Sequence, residues 1–335
     1  MKSEKHDRGG LVDSSGRVID YLRLSITDRC NLRCLYCMPA QGVDWIPHDD
    51  VMRFEETLKI CRILVDMGIK AVRVTGGEPL VRRGTADFIR QLKALDGVER
   101  VAMTSNGILL GEYIDALAAA GLDALNISLD TLDGEKYKQL TGTDGVAGIL
   151  PVIDRALQLG LVLKINCVLL GGFNEDDLVK VAAFAKNKNI TVRFIELMPL
   201  GAAGGLKHLP AADAVSRIEE TYGTLTASPV RLGYGPAVYY TLAGFAGHIG
   251  FISAVSHNFC NNCNRLRLTS SGSLKPCLSS DMGLDLKSLV RGGAHDDEIR
   301  EAISGFIARK SPCHNFGDVN EKHEHKKKEM FRIGG

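Results

Sequence analysis

Two groups of three cysteines carry the chemistry of this sequence. Cys30, Cys34 and Cys37 are spaced C-x3-C-x2-C, and Cys260, Cys263 and Cys277 are spaced C-x2-C-x13-C. Thiolates crowded this closely repel one another unless a cation sits between them, so each trio points to a metal. Three thiolates can bind three irons of a 4Fe–4S cubane and leave the fourth iron open to a small molecule. Zinc instead needs a fourth protein ligand. For the first trio that ligand would be His48, eleven residues beyond Cys37 and after a proline, so the spacing favours iron. For the second trio His257 is close enough to complete a Cys3His site, and on spacing alone zinc stays open. Of the other three cysteines, Cys61 and Cys167 lie in apolar stretches and are expected in the core, and Cys313 receives no role. An odd count argues against a disulfide framework.

Cations supply the second theme. Arg265 and Arg267 alternate with leucines in Asn264–Leu268, so on a short strand they point the same way, as a phosphate-rich ligand would require. Arg23, Arg73 and Lys164 share the polar sides of three further strand candidates. Like charges buried together need a counter-ion. A triphosphate would supply it; the alternative is local pairing with Glu78, Glu196 or Asp130.

The elements that must position these residues are read from periodicity. Strand candidates are Tyr21–Ile26, Ala71–Thr75, Val98–Thr104, Ala124–Leu129, Val162–Leu169 and Thr191–Leu197. Amphipathic runs at Phe54–Met67, Ala86–Leu95, Gly111–Ala120, Val146–Leu159 and Glu175–Lys188 separate them. This βα repetition implies parallel strands. Parallel strands covered by helices on both faces are apolar on both sides, whereas these are apolar on one side only. The spacing therefore predicts an α/β fold in which a curled sheet of six strands, a partial (βα)6 barrel, keeps helices outside and a polar lumen inside. Beyond residue 200 the texture changes. Gly201–Gly205 reads as a linker, Leu209–Tyr222 as a helix, and Ala237–Leu242 and His248–Ser253 as strands.

Composition narrows the function classes. With 335 residues, 45% apolar and 24% charged, the chain has the make-up of a soluble enzyme of about two domains. A net charge of +1 argues against a general attraction to nucleic acid or a membrane surface. No apolar run is long enough to span a bilayer, and the polar start resembles neither a secretory signal nor a transit peptide. The expected setting is cytoplasmic.

The segment Arg23–Pro39 (RLSITDRCNLRCLYCMP) resembles the CxxxCxΦC signature of the radical S-adenosylmethionine (SAM) superfamily, with Tyr36 as the aromatic. Thr75–Pro79 resembles its GGEP motif, and Thr104–Gly107, Ser128–Asp130 and Glu196–Pro199 are further strand-end elements. Together with the second trio, the NRLRL segment and the terminal Gly334-Gly335, the pattern from about Val18 onward resembles the molybdenum cofactor biosynthesis protein A family, the GTP 3′,8-cyclases. The resemblance implies a TIM-like partial barrel in residues 1–200, a C-terminal iron–sulfur domain in 201–320 that closes its open side, and a mobile tail in 321–335. It implies that Cys30, Cys34 and Cys37 hold a SAM-cleaving 4Fe–4S cluster, with Tyr36, Gly77, Ser128 and Met198 around SAM. Arg23, Arg73, Thr104, Lys164, Arg265, Leu266 and Arg267 would contact GTP. Cys260, Cys263 and Cys277 would hold a second 4Fe–4S cluster facing the purine. Arg265, Arg267, Gly334 and Gly335 would take part in catalysis. The implied chemistry is SAM cleavage to a 5′-deoxyadenosyl radical, hydrogen abstraction at C3′ of GTP and closure onto C8. Implied partners are an external electron donor of flavodoxin or ferredoxin type and, downstream, cyclic pyranopterin monophosphate synthase; a homodimer is allowed. Two rivals are a peptide maturase with an auxiliary-cluster domain and a zinc-stabilised binding protein.

Overall fold

The computed structural model describes residues 10–39, 42–314 and 330–334. The charge run at 321–328 and Gly335 lie outside the described residues.

From Tyr21 onward the chain alternates strand and helix. The first half runs β1 (Tyr21–Ser25), α1 (Phe54–Asp66), β2 (Ala71–Thr75), α2 (Thr85–Lys93), β3 (Arg100–Ser105), α3 (Leu110–Ala119) and β4 (Ala124–Ser128). It continues with α4 (Gly134–Thr141), α5 (Val146–Gln158), β5 (Val162–Leu169), α6 (Leu178–Ala182), α7 (Phe184–Asn187) and β6 (Thr191–Glu196). All neighbouring pairs from β1 to β6 are parallel. The helices bury their apolar stripes against one face of this sheet. On that face Leu22, Leu24, Val72, Val74, Met103, Leu125, Ile127, Ile165 and Phe194 join one continuous core. Cys61 and Cys167 lie in the same core, as their surroundings predict.

The other face is polar and turned inward. Arg73, Asn126 and Lys164 are 8%, 3% and 4% exposed, so the one-sided alternation marks a lumen rather than a wet surface. The six strands are the middle of a larger sheet. After α8 (Ala211–Tyr222) come β7 (Thr226–Ser228), β8 (Val238–Thr241), β9 (His248–Ile252), β10 (Arg265–Leu268), β11 (Ser273–Lys275) and β12 (Leu284–Asp285), then α9 (Leu286–Arg291) and α10 (Asp296–Ile307). The strand order is β12-β11-β10-β1-β2-β3-β4-β5-β6-β9-β8-β7. Both β10 and β9 pair in parallel with the barrel edges, β1 and β6, while the outer strands are antiparallel. The C-terminal segment thus extends both edges of the curled sheet, which covers strand edges that would otherwise invite pairing with other chains.

Three expectations need correction. The run Glu175–Lys188 is not one helix: it starts as a 3-10 turn at Glu175–Asp177 and breaks at Ala183 into α6 and α7. The Asp177 carboxylate turns inward to accept from Thr131 Oγ1 at 2.8 Å and from Lys136 Nζ at 3.0 Å, which holds the start of the run in that turn. Gly201–Gly205 is a compact 3-10 turn between buried Leu200 and Leu209, not an open linker. The third strand begins at Arg100 and not Val98, because Glu99 N–H is drawn to the Lys70 carbonyl.

Candidate active site

The C-terminal ends of the parallel strands meet one cavity, and both cysteine trios line it. Cys30, Cys34 and Cys37 occupy the loop after β1. Burial lifts the Cys30 thiol; burial, then Cys37, Asp130 and Cys30, lift that of Cys34 well above the usual range; and burial pushes Cys37 up to about 12. Three half-buried thiols that resist ionisation together are a donor set whose thiolates a cation would stabilise, so the residues fit a cluster held by three cysteines.

Neighbouring strand ends brace this loop. Gly77 N–H donates to the Thr27 carbonyl at 2.8 Å and Glu78 N–H to that of Arg29 at 2.9 Å. A Cβ on Gly77 would strike the Arg29 carbonyl, so only glycine lets the GGEP turn lie against the cysteine loop. The Glu78 carboxylate accepts from Ser105 Oγ at 3.0 Å, Leu80 N–H at 3.1 Å and Asn106 N–H at 2.7 Å. Burial raises its carboxyl to about 7 despite these donors. Asn106 Nδ2 in turn donates to Asn31 Oδ1 at 2.8 Å and lies 3.8 Å from Cys30 Sγ. Tyr36 donates to Asp130 Oδ2 at 2.8 Å, and Asp130 Oδ1 accepts from Val168 N–H at 2.7 Å. Tyr36, Gly77, Ser128 and Met198 all line the cavity.

Deeper in the lumen the strand register gathers cations. Arg267 is the partner of Arg23, and Arg23 of Arg73; further along, Asn126 pairs with Lys164 and Asn166 with Arg193. Burial, followed by Arg267, holds Arg23 well below its usual range. Burial, followed by Arg193 and Arg73, brings Lys164 down to about 6. Burial also lowers Arg193 and Arg267 to about 10. Among the described residues no carboxylate forms an ion pair with Arg73, Lys164, Arg193, Arg265 or Arg267. Glu78 and Asp130 are engaged as described, and Glu196 accepts from the backbone N–H groups of Ala211, Val255 and Ser256 and from Ser256 Oγ. Arg73 Nε donates to the Tyr21 hydroxyl, while Arg73 Nη1, Thr104 Oγ1 and Asn126 Oδ1 are buried without a hydrogen-bond partner among the described residues. An anion in the lumen would satisfy the charge and accept from Arg73 Nη1 and Thr104 Oγ1, whereas Asn126 Oδ1 calls for a hydroxyl or amino donor on the same ligand.

The second trio sits opposite. Cys260 opens a 3-10 turn, its N–H held by Asn258 Oδ1 at 2.7 Å, and Cys263 follows at the entrance to β10. Asn264 Nδ2 donates to Asp20 Oδ1 at 2.6 Å, which ties this loop to the start of β1. Cys277 follows β11. Burial raises the Cys263 thiol, but Arg265 and then Lys310 outweigh it and leave the group at about 7. This trio also fits a metal cluster with an open position. His257, the fourth zinc ligand suggested by spacing, does not line the cavity that the three thiols share, whereas His314 does.

Two residues named from the sequence lie elsewhere. The Leu266 side chain is fully buried in the core on the helical face, because alternation along β10 turns it away from Arg265 and Arg267. Lys164 is beyond the cavity lining and donates to the Leu232 carbonyl. The Gly334 carbonyl accepts from Arg267 Nη1 at 2.7 Å and from Arg23 Nη2 at 3.2 Å, so the tail reaches the lumen arginines. Sequence reasoning missed Arg193, which donates to Asn166 Oδ1 at 2.6 Å and lines the cavity. The alternation test applied to β6 would have found it, since Arg193 opposes Val192 and Phe194. Among the described residues no helix is long and apolar enough to cross a membrane.

Comparison with known proteins places this geometry. A family model described as "Radical SAM superfamily" matches residues 24–185, and one described as "Molybdenum Cofactor Synthesis C" matches residues 190–316. A GTP 3′,8-cyclase of Pelotomaculum thermopropionicum is 42% identical over 97% of this chain and 100% of its own length. Another, of Thermodesulfovibrio yellowstonii, is 44% identical over 88% of this chain and 92% of its own. Among solved structures, Streptococcus suis SuiB bound to S-adenosylmethionine has a TM-score of 0.59 at 16% identity, over 84% of this chain and 68% of that one. That likeness is one of fold.

Proposed function

The chain belongs to the family of GTP 3′,8-cyclases, radical SAM enzymes of molybdenum cofactor biosynthesis, and from that premise we propose how its residues divide the work. The reaction converts GTP to (8S)-3′,8-cyclo-7,8-dihydroguanosine 5′-triphosphate with SAM and two 4Fe–4S clusters as cofactors. Cys30, Cys34 and Cys37 hold the first cluster. Tyr36, Gly77, Ser128 and Met198 seat SAM beside it. Cys260, Cys263 and Cys277 hold the second cluster. When bound, the first cluster and SAM supply a one-electron hydrogen abstraction from the substrate ribose.

The protein's own part is binding, orientation and exclusion of water. Arg23, Arg73 and Arg193 take the triphosphate, Lys164 adds its charge from behind the cavity wall, and Thr104 and Asn126 turn to polar atoms of the nucleotide. Arg265 and Arg267 hold the purine side against the second trio, and Gly334, with Gly335 beyond it, brings the tail against Arg23 and Arg267. Leu266 contributes its place in the core. Residues 1–200 form the SAM half, 201–320 the auxiliary half and 321–335 the tail. The enzyme works in the cytoplasm, as a monomer or a homodimer. It draws electrons from a flavodoxin- or ferredoxin-type donor, and its product passes to cyclic pyranopterin monophosphate synthase.

The observation that carries this assignment is that Arg73, Arg193, Arg265 and Arg267, which form no ion pair with a carboxylate among the described residues, line one cavity with both cysteine trios. Oxygen-free incubation with SAM, GTP and dithionite, followed by mass analysis, tests it. The expected result is 5′-deoxyadenosine together with a nucleotide that has the mass of GTP but separates from it on chromatography. Deoxyadenosine with unchanged GTP would remove the substrate assignment.

A further inference from the structure

Lys310 lies three residues beyond α10 and is 3% exposed, yet no carboxylate forms an ion pair with it among the described residues. Its Nζ donates to the Arg265 carbonyl at 2.6 Å and lies 3.7 Å from Cys263 Sγ. It is not part of the cavity lining, so it is not placed to touch substrate. An ammonium buried without an acid is costly unless another anion faces it. Here the facing anion is the Cys263 thiolate.

The position is built rather than incidental. Arg17, itself 8% exposed, holds the segment that follows Lys310. Its Nη1 donates to the Pro312 carbonyl at 2.7 Å and to the Cys260 carbonyl at 2.8 Å, and its Nη2 donates to the Ser311 carbonyl at 2.9 Å. Asp13 fixes the same guanidinium through Nε at 2.6 Å. One buried arginine thus clamps the Lys310 segment to the loop that carries the second trio.

We propose that Lys310 is a positioning residue that keeps a positive charge on the Cys263 thiolate and thereby sets the reduction potential of the second cluster. This rests on reading Cys260, Cys263 and Cys277 as that cluster's ligands. A cubane on three thiolates is an anion, and one-electron reduction by the external donor makes it more negative. A fixed cation and a hydrogen bond at a ligand sulfur favour the reduced state, since net charge and bonds to sulfur are among the terms that set these potentials. Arg265 also reaches the Cys263 sulfur, but it lines the cavity and is open to competition from a bound nucleotide, whereas Lys310 meets the sulfur from outside the cavity lining.

The test uses the reconstituted full-length enzyme and its Lys310→Gln, Lys310→Met and Lys310→Arg variants. Iron is counted, and the second cluster is titrated by EPR-monitored reduction, its signal identified as the one that GTP perturbs and SAM does not. In both neutral variants the reduction equilibrium should move at least tenfold toward the oxidised form, about 59 mV for one electron, and Lys310→Arg should restore most of the shift. Loss of the second cluster's iron in Gln and Met, with retention in Arg, also supports a role for the charge. Unchanged potentials in the neutral variants overturn the proposal, as does loss of that iron in all three, which would make Lys310 a packing residue. A wild-type enzyme that binds iron only at the first trio overturns the ligand reading itself, and the iron count separates that failure from the other.

Discussion

The Arg267 guanidinium donates to the Gly334 carbonyl at 2.7 Å, joining the strand beside β1 to a residue 67 positions further along the chain. Gly334 has φ +69°, and a Cβ there would come within 2.5 Å of Thr75 Oγ1. Left-handed backbone alone costs a non-glycine residue about 1–2 kcal/mol, so Gly334→Ala should undock the tail roughly tenfold or more. Cyclisation should fall accordingly while iron content and SAM binding stay at wild-type levels. Equal turnover in the variant would remove the tail from the site.

Lys164 gives a pH signature. Burial, then Arg193 and Arg73, lower it to about 6, against roughly 10.4 in an unfolded chain. Between those values the unfolded chain binds a proton that the folded one does not, so this group's contribution to stability rises with pH across that window. A bound triphosphate restores the counter-charge and raises the folded value. GTP binding should therefore take up about one proton at roughly pH 8, and affinity should weaken as pH climbs above about 6. Calorimetry in buffers of different ionisation heat reads the uptake. If Lys164→Met takes up as many protons as wild type, the assignment of this lysine is wrong.

Arg193 is buried, lines the cavity and is held by Asn166 Oδ1 and Tyr239. A charge-assisted contact to phosphate is worth about 1.5–3 kcal/mol. Arg193→Ala should weaken GTP binding roughly tenfold to a hundredfold, leave SAM binding unchanged, and affect GDP and GTP by different factors. An unaltered GTP Kd would place the triphosphate elsewhere.

The legible part of this fold was its local pattern. One-sided alternation in Leu22–Leu24, Val72–Val74 and Leu125–Leu129 announced a sheet with a polar inner face, and the inward burial of Arg73 and Lys164 follows from it. Non-local pairing was not legible. Nothing within Arg265–Leu268 says that it adds in parallel to β1 with Arg267 opposite Arg23, because the two strands are far apart in the chain. Helix α4 was overlooked although Asp133 caps it through Glu135 and Lys136 N–H, a signal present in the sequence. Lys310 carried none, since its meaning comes from a sulfur 47 residues away.

The two trios should separate by function. Cys34→Ala should lose the iron of one cluster and abolish 5′-deoxyadenosine formation. Cys263→Ala should lose the iron of the other, keep some SAM cleavage and stop cyclisation. Iron assay and chromatography of the nucleosides check both. Full cyclisation by Cys263→Ala would deny the second trio any part in the reaction.

The central claim is that SAM and GTP share one closed chamber, so that hydrogen passes directly from the ribose to the deoxyadenosyl group. GTP carrying deuterium at C3′ tests this most directly. The account predicts one deuterium in the 5′-deoxyadenosine and none left at C3′ of the cyclised nucleotide; unlabelled 5′-deoxyadenosine beside a fully labelled nucleotide would contradict it.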